Sequence, residues 1–192
     1  WRRGRRAAGP PEALSRDRMT SFAEPRIPLA LESSRLLLRM PQEGDWRALH
    51  EYYGDADSVR YTVGTAHTEA QTWRTLAGVV GHWAWRGYGP YTLIDKNEGG
   101  VLGIAGLWYP NDWPEPEIKW ALLPAARGRG FASEAARAVR VMAREHLPGV
   151  RLISLIAIGN EASVRVAQAA GAWLEREVDF RGSRAAIYRH PD

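Results

Sequence analysis

The sequence predicts a mixed α/β (α+β) domain, a sheet of about seven strands with helices on both faces. Three observations carry that expectation. Apolar runs of strand length alternate with stretches of helical period along residues 33–190. A strand run, a Gly-rich turn and a helix start follow one another in EIKWALLPAARGRGFASE, Glu117 to Glu134. The next apolar run, Leu152 to Ile158, is interrupted only by Ser154, so it reads as a strand covered on both faces beside a parallel neighbour. Strand, helix and strand then make a right-handed βαβ unit.

The elements follow in order. Arg35 to Met40 is a short β-rich run ended by Pro41. Asp45 offers an N-cap to a helix carrying Trp46, Leu49 and Tyr53 at helical spacing, closed by Gly54-Asp55. Residues 60–67 read as an irregular connection. Thr68 to Gln71 has the form of a capping box and opens a helix to about Arg86, with Trp73, Leu76, Val80 and Trp83 on its apolar face and Gly87 as its stop. Tyr88 to Ile94 and Val101 to Tyr109 form an antiparallel pair around the polar turn 95–100. Pro110 to Pro116 is a loop, and Ile118 to Leu123 is the next strand. The helix after the Gly turn places Ala132, Ala135, Ala136, Val139, Met142 and Ala143 on one face and ends at Pro148-Gly149. Asn160 caps a short helix that Gly171 ends, and Trp173 to Phe180 with Ala185 to Tyr188 close the chain as a hairpin around 181–184.

Composition narrows the function. The chain of 192 residues has no Cys, which removes thiolate metal sites and a Cys nucleophile. Its five His show no metal spacing, so no metal is expected. There is no apolar run long enough for a membrane span, and a cytoplasmic location is the expectation. Residues 1–18 carry six Arg against Glu12 and Asp17, which accounts for the whole formal net charge of +4. The high pI therefore belongs to that segment. Residues 1–32 read as a disordered basic tail or a non-native extension, with Met19 as the natural start, and nucleic acid is not the expected partner.

Arg127-Gly128-Arg129-Gly130 between a strand and a helix is an anion cradle. Glycines let the backbone turn tightly and approach a ligand closely. The first N–H groups of a helix lack internal partners and sit at its positive end, so phosphate binds there.

Arg127 to Ala132, RGRGFA, fits the Arg/Gln-x-x-Gly-x-Gly/Ala signature of the GNAT superfamily of N-acetyltransferases, which the chain resembles over residues 33–190. Asn160-Glu161-Ala162-Ser163 resembles the family's Asn-x-x-Ser helix. SSRLLLRMPQEGDW and FRGSRAAIYR resemble its RimJ/RimL-like branch, named for enzymes that acetylate the N termini of ribosomal proteins. Lys119 stands where the family carries Gly. Ala167 stands where many relatives place a Tyr general acid, which excludes that acid here.

The resemblance implies acetyl-CoA as co-substrate and a primary amine as acceptor, either a protein N terminus or a small molecule. The pyrophosphate would lie on the N–H groups of Arg129, Gly130, Phe131, Ala132 and Ser133, with Arg127 and Arg129 adding charge and Gly128 leaving room. A backbone N–H near Leu122 or Leu123 would hold the thioester oxygen. Glu117 is the base candidate, with Lys119 projecting to the same strand face, and Glu175 and Asp179 are weaker ones. Ser163 would stabilise the leaving thiolate, and Asn160 would touch the cofactor. Arg60, Arg181 and Arg184 would favour an acceptor bearing a carboxylate. Trp108 and Trp113 are candidates for the acceptor groove or a homodimer surface, while Trp46, Trp73, Trp83 and Trp120 read as core. The missing Tyr and the presence of Lys119 leave a second reading open, a non-catalytic acyl-CoA-binding or regulatory protein.

Overall fold

A computed structural model of the chain describes residues 22–192, so the basic segment 1–18 lies outside the described residues. One sheet runs through the molecule in the order β1-β2-β3-β4-β5-β6-β8-β7. Its strands are β1 (Ala30–Glu32), β2 (Leu36–Arg39), β3 (Pro90–Asp95), β4 (Val101–Trp108), β5 (Glu117–Leu122), β6 (Ile153–Ala157), β7 (Trp173–Phe180) and β8 (Ser183–Arg189). The eighth strand relative to expectation is β1. It lies inside the stretch expected to be tail and pairs Leu31 with Leu38 of β2. Every pairing is antiparallel except β5 with β6. The closing turn is shorter than expected. Arg181 and Gly182 have φ of 51° and 76°, the two left-handed residues of a type I′ turn, and Ser183 already belongs to β8.

The helices are α1 (Trp46–Tyr53), α2 (Ala56–Val59), α3 (Glu69–Arg86), α4 (Phe131–His146) and α5 (Glu161–Ala169). α1 and α3 pack on each other and α1 on β4, while α4 lies along β2, β4 and β5. Thr68 and Gln71 form the expected capping box of α3, and Gly87 ends it at φ 72°. The buried row of α3 is Thr72, Leu76, Val79 and Trp83. Trp73 and Val80, expected on that face, sit one position round the helix and are exposed. The expected face of α4 is buried as read, together with Phe131.

Asp45 does not cap α1. Its buried carboxylate accepts from both terminal nitrogens of Arg39 at 2.8 and 2.7 Å, from Thr92 Oγ1 at 2.6 Å and from the Gln42 N–H at 2.9 Å. Burial alone would raise the Asp45 carboxyl. The bonds from Arg39, Thr92 and Gln42 more than offset it and hold the group below the ordinary carboxylate range. The residue thereby ties β2 and β3 to the start of α1. Within the stretch before α3, Asp55 accepts from the Ser58 N–H and opens the short α2, which the sequence pattern does not announce.

Candidate active site

β5 and β6 meet at one bridge, Glu117 opposite Ile153, and then part. The hydrogen bonds show why. The Leu123 N–H donates to Leu102 O of β4 at 2.9 Å, which fixes the parity of β5. Residues 117, 119 and 121 turn their backbone groups to β4, and 118, 120 and 122 turn theirs towards β6. Two side chains occupy the positions where the parallel ladder would continue. Ser154 Oγ donates to Ile118 O at 2.7 Å, and the Leu155 N–H donates to the Glu117 carboxylate at 3.2 Å. Farther on, Leu122 O accepts from the Arg127 guanidinium at 3.2 Å. The Trp120 N–H and C=O and the Leu122 N–H are left facing the fork. Leu123, named beside Leu122 as an oxyanion donor, is excluded because its N–H is bound to β4.

Past the fork the chain enters a 3-10 turn, Pro124–Ala126, and then the cradle. Gly128 has φ 73° and Gly130 φ 80°, left-handed geometry that a side chain at either position would strain. Gly130 is the N-cap of α4 and supplies no capping side chain. The first-turn N–H groups, Phe131, Ala132 and Ser133, therefore remain orphan donors. The Arg side chains have protein partners of their own. Arg127 reaches back to Leu122 O and to Ser58 Oγ, while Arg129 NH2 lies 3.7 Å from Asp95 and 3.7 Å from Glu98. Arg129 and Arg35 lie over the Phe131 ring at 4.8 and 4.5 Å. Arg35, not singled out in the sequence, also binds Glu134 and donates to Arg129 O at 2.9 Å, so it fixes the cradle from below.

Because β5 and β6 are parallel, their C-terminal ends lie together, and α4 and α5 both begin at that end. Asn160 Oδ1 accepts from the Ser163 N–H at 3.2 Å, leaving the Asn160 amide nitrogen and the Ser163 hydroxyl uncommitted.

Glu117 is buried, and burial raises its carboxyl above the ordinary range against the opposing pull of Lys119, the Leu155 N–H and Trp113. The Trp113 indole biases the carboxylate without reaching hydrogen-bond geometry, and its Nε1 is sealed from solvent without a partner. Lys119 projects to the same face as expected, and burial lowers its ammonium while Glu117 pulls the other way. Trp108 and Trp113 stand in this cluster. Trp108 stacks on His82 at 4.7 Å, and Trp113 meets Phe180 edge-on at 5.0 Å. His82 Nε2 accepts from the Tyr109 N–H at 2.9 Å, so Nδ1 carries the proton and donates to Tyr88 O at 2.8 Å. The hairpin cations are engaged elsewhere: Arg181 binds Asp112 and Arg184 binds Glu177. Glu175 is likewise held by Arg189 and Arg176.

The strand, Gly-rich turn and uncapped helix N terminus implied by the RGRGFA signature are all present, and the strand also parts from its parallel neighbour. The family profile for the acetyltransferase (GNAT) domain matches residues 35–172. The chain belongs to the GNAT family. It is 26% identical over 151 residues to YnaD of Bacillus subtilis, described as an uncharacterized N-acetyltransferase, covering 79% of this chain and 85% of that one. Among solved structures, an acetyltransferase from Agrobacterium tumefaciens superposes with a TM-score of 0.77 at 28% identity, over 86% of this chain and 95% of that one. RimL, a ribosomal L7/L12 alpha-N-protein acetyltransferase in complex with coenzyme A, shares the fold with a TM-score of 0.69 at 20% identity, over 85% and 96% of the two chains. In this GNAT protein, Ser154 is the site residue that sequence reading passed over. Its one signal was being polar within an otherwise apolar strand.

Proposed function

We propose that this acetyltransferase moves an acetyl group from acetyl-CoA to a primary amine by direct attack within a ternary complex. The observation that carries the reading is the fork, whose free strand edge leads to the orphan N–H groups of α4. Those donors suit a pyrophosphate. The free edge of β5 suits the amide-bearing arm of the co-substrate, which would pair as an added strand. Acetyl-CoA is a substrate here and supplies the activated acyl group.

The residues of the chain divide the remaining work. The Leu122 N–H is the donor for the developing oxyanion. Glu117 removes a proton from the attacking amine, and its raised pKa brings it nearer the pH at which a base works well. Ser163 hydrogen-bonds the departing thiolate, and the Asn160 amide contacts the co-substrate. No side chain needs to form a covalent acyl intermediate, since no activated nucleophile lies in the site.

The test is release of free thiol from acetyl-CoA over a panel of amines and N-terminal peptides. Glu117→Gln should lower kcat/KM about 100-fold while leaving CoA affinity near the parent value. In the parent, kcat/KM should rise with pH through an apparent pKa above the ordinary carboxylate value, and that limb should vanish in the variant. Tight CoA binding without thiol release on any acceptor would instead establish the non-catalytic reading.

A further inference from the structure

Lys119 occupies an unusual position within this site. It lies on β5 two residues after Glu117, directly opposite Gly106 of β4, which presents no side chain beside it. Its Nζ rests over the Trp108 ring, 4.8 Å from the centroid. Among the described residues, Nζ makes no ion pair and no hydrogen bond, its recorded neighbours being the Trp108 ring and the charge of Glu117. Yet Nζ is not among the polar atoms sealed from solvent without a partner, as Trp113 Nε1 and His190 Nδ1 are. The ammonium thus has unfilled donor capacity, on a half-buried side chain beside Glu117.

The surrounding cations differ. Arg181 is bound to Asp112, Arg184 to Glu177, and Arg189 to Glu115 and Glu175. Of the three cations expected to receive an acceptor carboxylate, Arg181 and Arg184 are thus ion-paired and Arg60 lies over the Tyr61 ring at 4.7 Å, whereas Lys119 stands beside Glu117 itself. We infer that Lys119 receives an anionic group of the acceptor, so that the preferred acceptor is an amine bearing a carboxylate, such as an amino acid or a short peptide acid. This rests on the transferase reading above and names its substrate class. The chemistry is complementary. Lys119 pairs with the carboxylate while Glu117, on the same strand face, takes the proton of the amine. The same cation repels an acceptor with several positive charges and no anion. Burial works against the ammonium, while Glu117 beside it and the Trp108 ring beneath Nζ oppose that effect, and an anion arriving at Nζ adds to their side.

The experiment compares phenylalanine and an alanyl dipeptide with their C-terminal amides, and both with spermidine, as acceptors. The parent should prefer each acid over its amide by about 10- to 100-fold in kcat/KM, the scale of one charge-assisted hydrogen bond, and should use spermidine least. Lys119→Met should bring the acid-to-amide ratio close to one, and Lys119→Arg should restore part of it, with CoA affinity unchanged in both. Equal use of acids and amides by the parent, or a preference that survives Lys119→Met, overturns the inference. Equilibrium binding of the same pairs to CoA-loaded protein separates it from the broader reading. Selective binding of acids without turnover keeps Lys119's role and removes the transferase reading, while failure of every acid to bind removes Lys119's role.

Discussion

Ser154 makes two hydrogen bonds that its apolar neighbours in β6 could not make. Its hydroxyl donates to Ile118 O at 2.7 Å and must therefore accept from His190 Nε2–H, 2.9 Å away. Ser154→Ala leaves a buried carbonyl and a buried imidazole N–H unpaired. It should cost about 2 kcal/mol, read from urea unfolding, and Ser154→Thr should recover part of the loss. Individual residues are where sequence reading was least complete. Glu117 and Lys119 were legible because alternation along a strand is local. The partners of Ser154 and Arg35 lie 36 and 99 positions away, at His190 and Glu134, and no local pattern encodes them. Asp45 was misread for the same reason. An N-cap is a local role, whereas its carboxylate binds Arg39 of β2 and Thr92, 47 residues distant on β3, as well as the Gln42 N–H.

At the scale of elements, the cradle is the part most fully legible. Strand, paired glycines and helix start are contiguous, and the left-handed φ of Gly130 is one that glycine adopts freely. Gly130→Ala should lower stability by about 1 kcal/mol through that backbone strain. The methyl has room, since the nearest atom to a Cβ there is Arg35 NH2 at 3.5 Å. CoA affinity, measured by titration calorimetry, should fall more than stability does, because the strain is relieved by moving the orphan N–H groups of α4. The fork was not legible as an element. Parity of backbone groups along β5 depends on pairing with β4, so Leu122 and Leu123 look equivalent in sequence and differ completely in structure. The faces of α3 show a related limit. Trp73 and Trp83 are the same residue type in one helix, but Trp83 is buried where its indole donates to Pro90 O and meets Tyr91 of β3 edge-on, and Trp73 is left exposed.

For the whole molecule, ionisable groups tie stability to pH in two windows. His190 is 2% exposed, and burial with the nearby Arg140 and Arg189 pushes its imidazole down to about 4. A His depressed in the folded state stabilises fully above its unfolded pKa, about 6.5, and loses that contribution as pH falls to about 4. The contribution is on the order of 3 kcal/mol. Asp45, Glu115 and Glu134 are held below the ordinary carboxylate range. Their contribution is present above the unfolded carboxylate pKa and disappears at lower pH still. Tm should therefore be flat above about pH 6.5, decline towards pH 4, and fall more steeply below it. His190→Gln should shrink the upper window to the part supplied by His82, which burial also depresses, and leave the lower one in place. The order of elements was readable at this scale because each helix and strand carries its own period. The edge strand Ala30–Glu32 was missed because three residues next to Pro28 are too few to show one. The carboxylate of Glu117 has a consequence for the molecule as a whole. The group proposed as the base also accepts from the Leu155 N–H at 3.2 Å, in place of a backbone carbonyl of β5. Taking up a proton weakens it as a hydrogen-bond acceptor, so chemistry at one oxygen slackens the separation of two strands. Under the proposed reaction the fork would be stiffest before transfer and more compliant after it, when the products must leave.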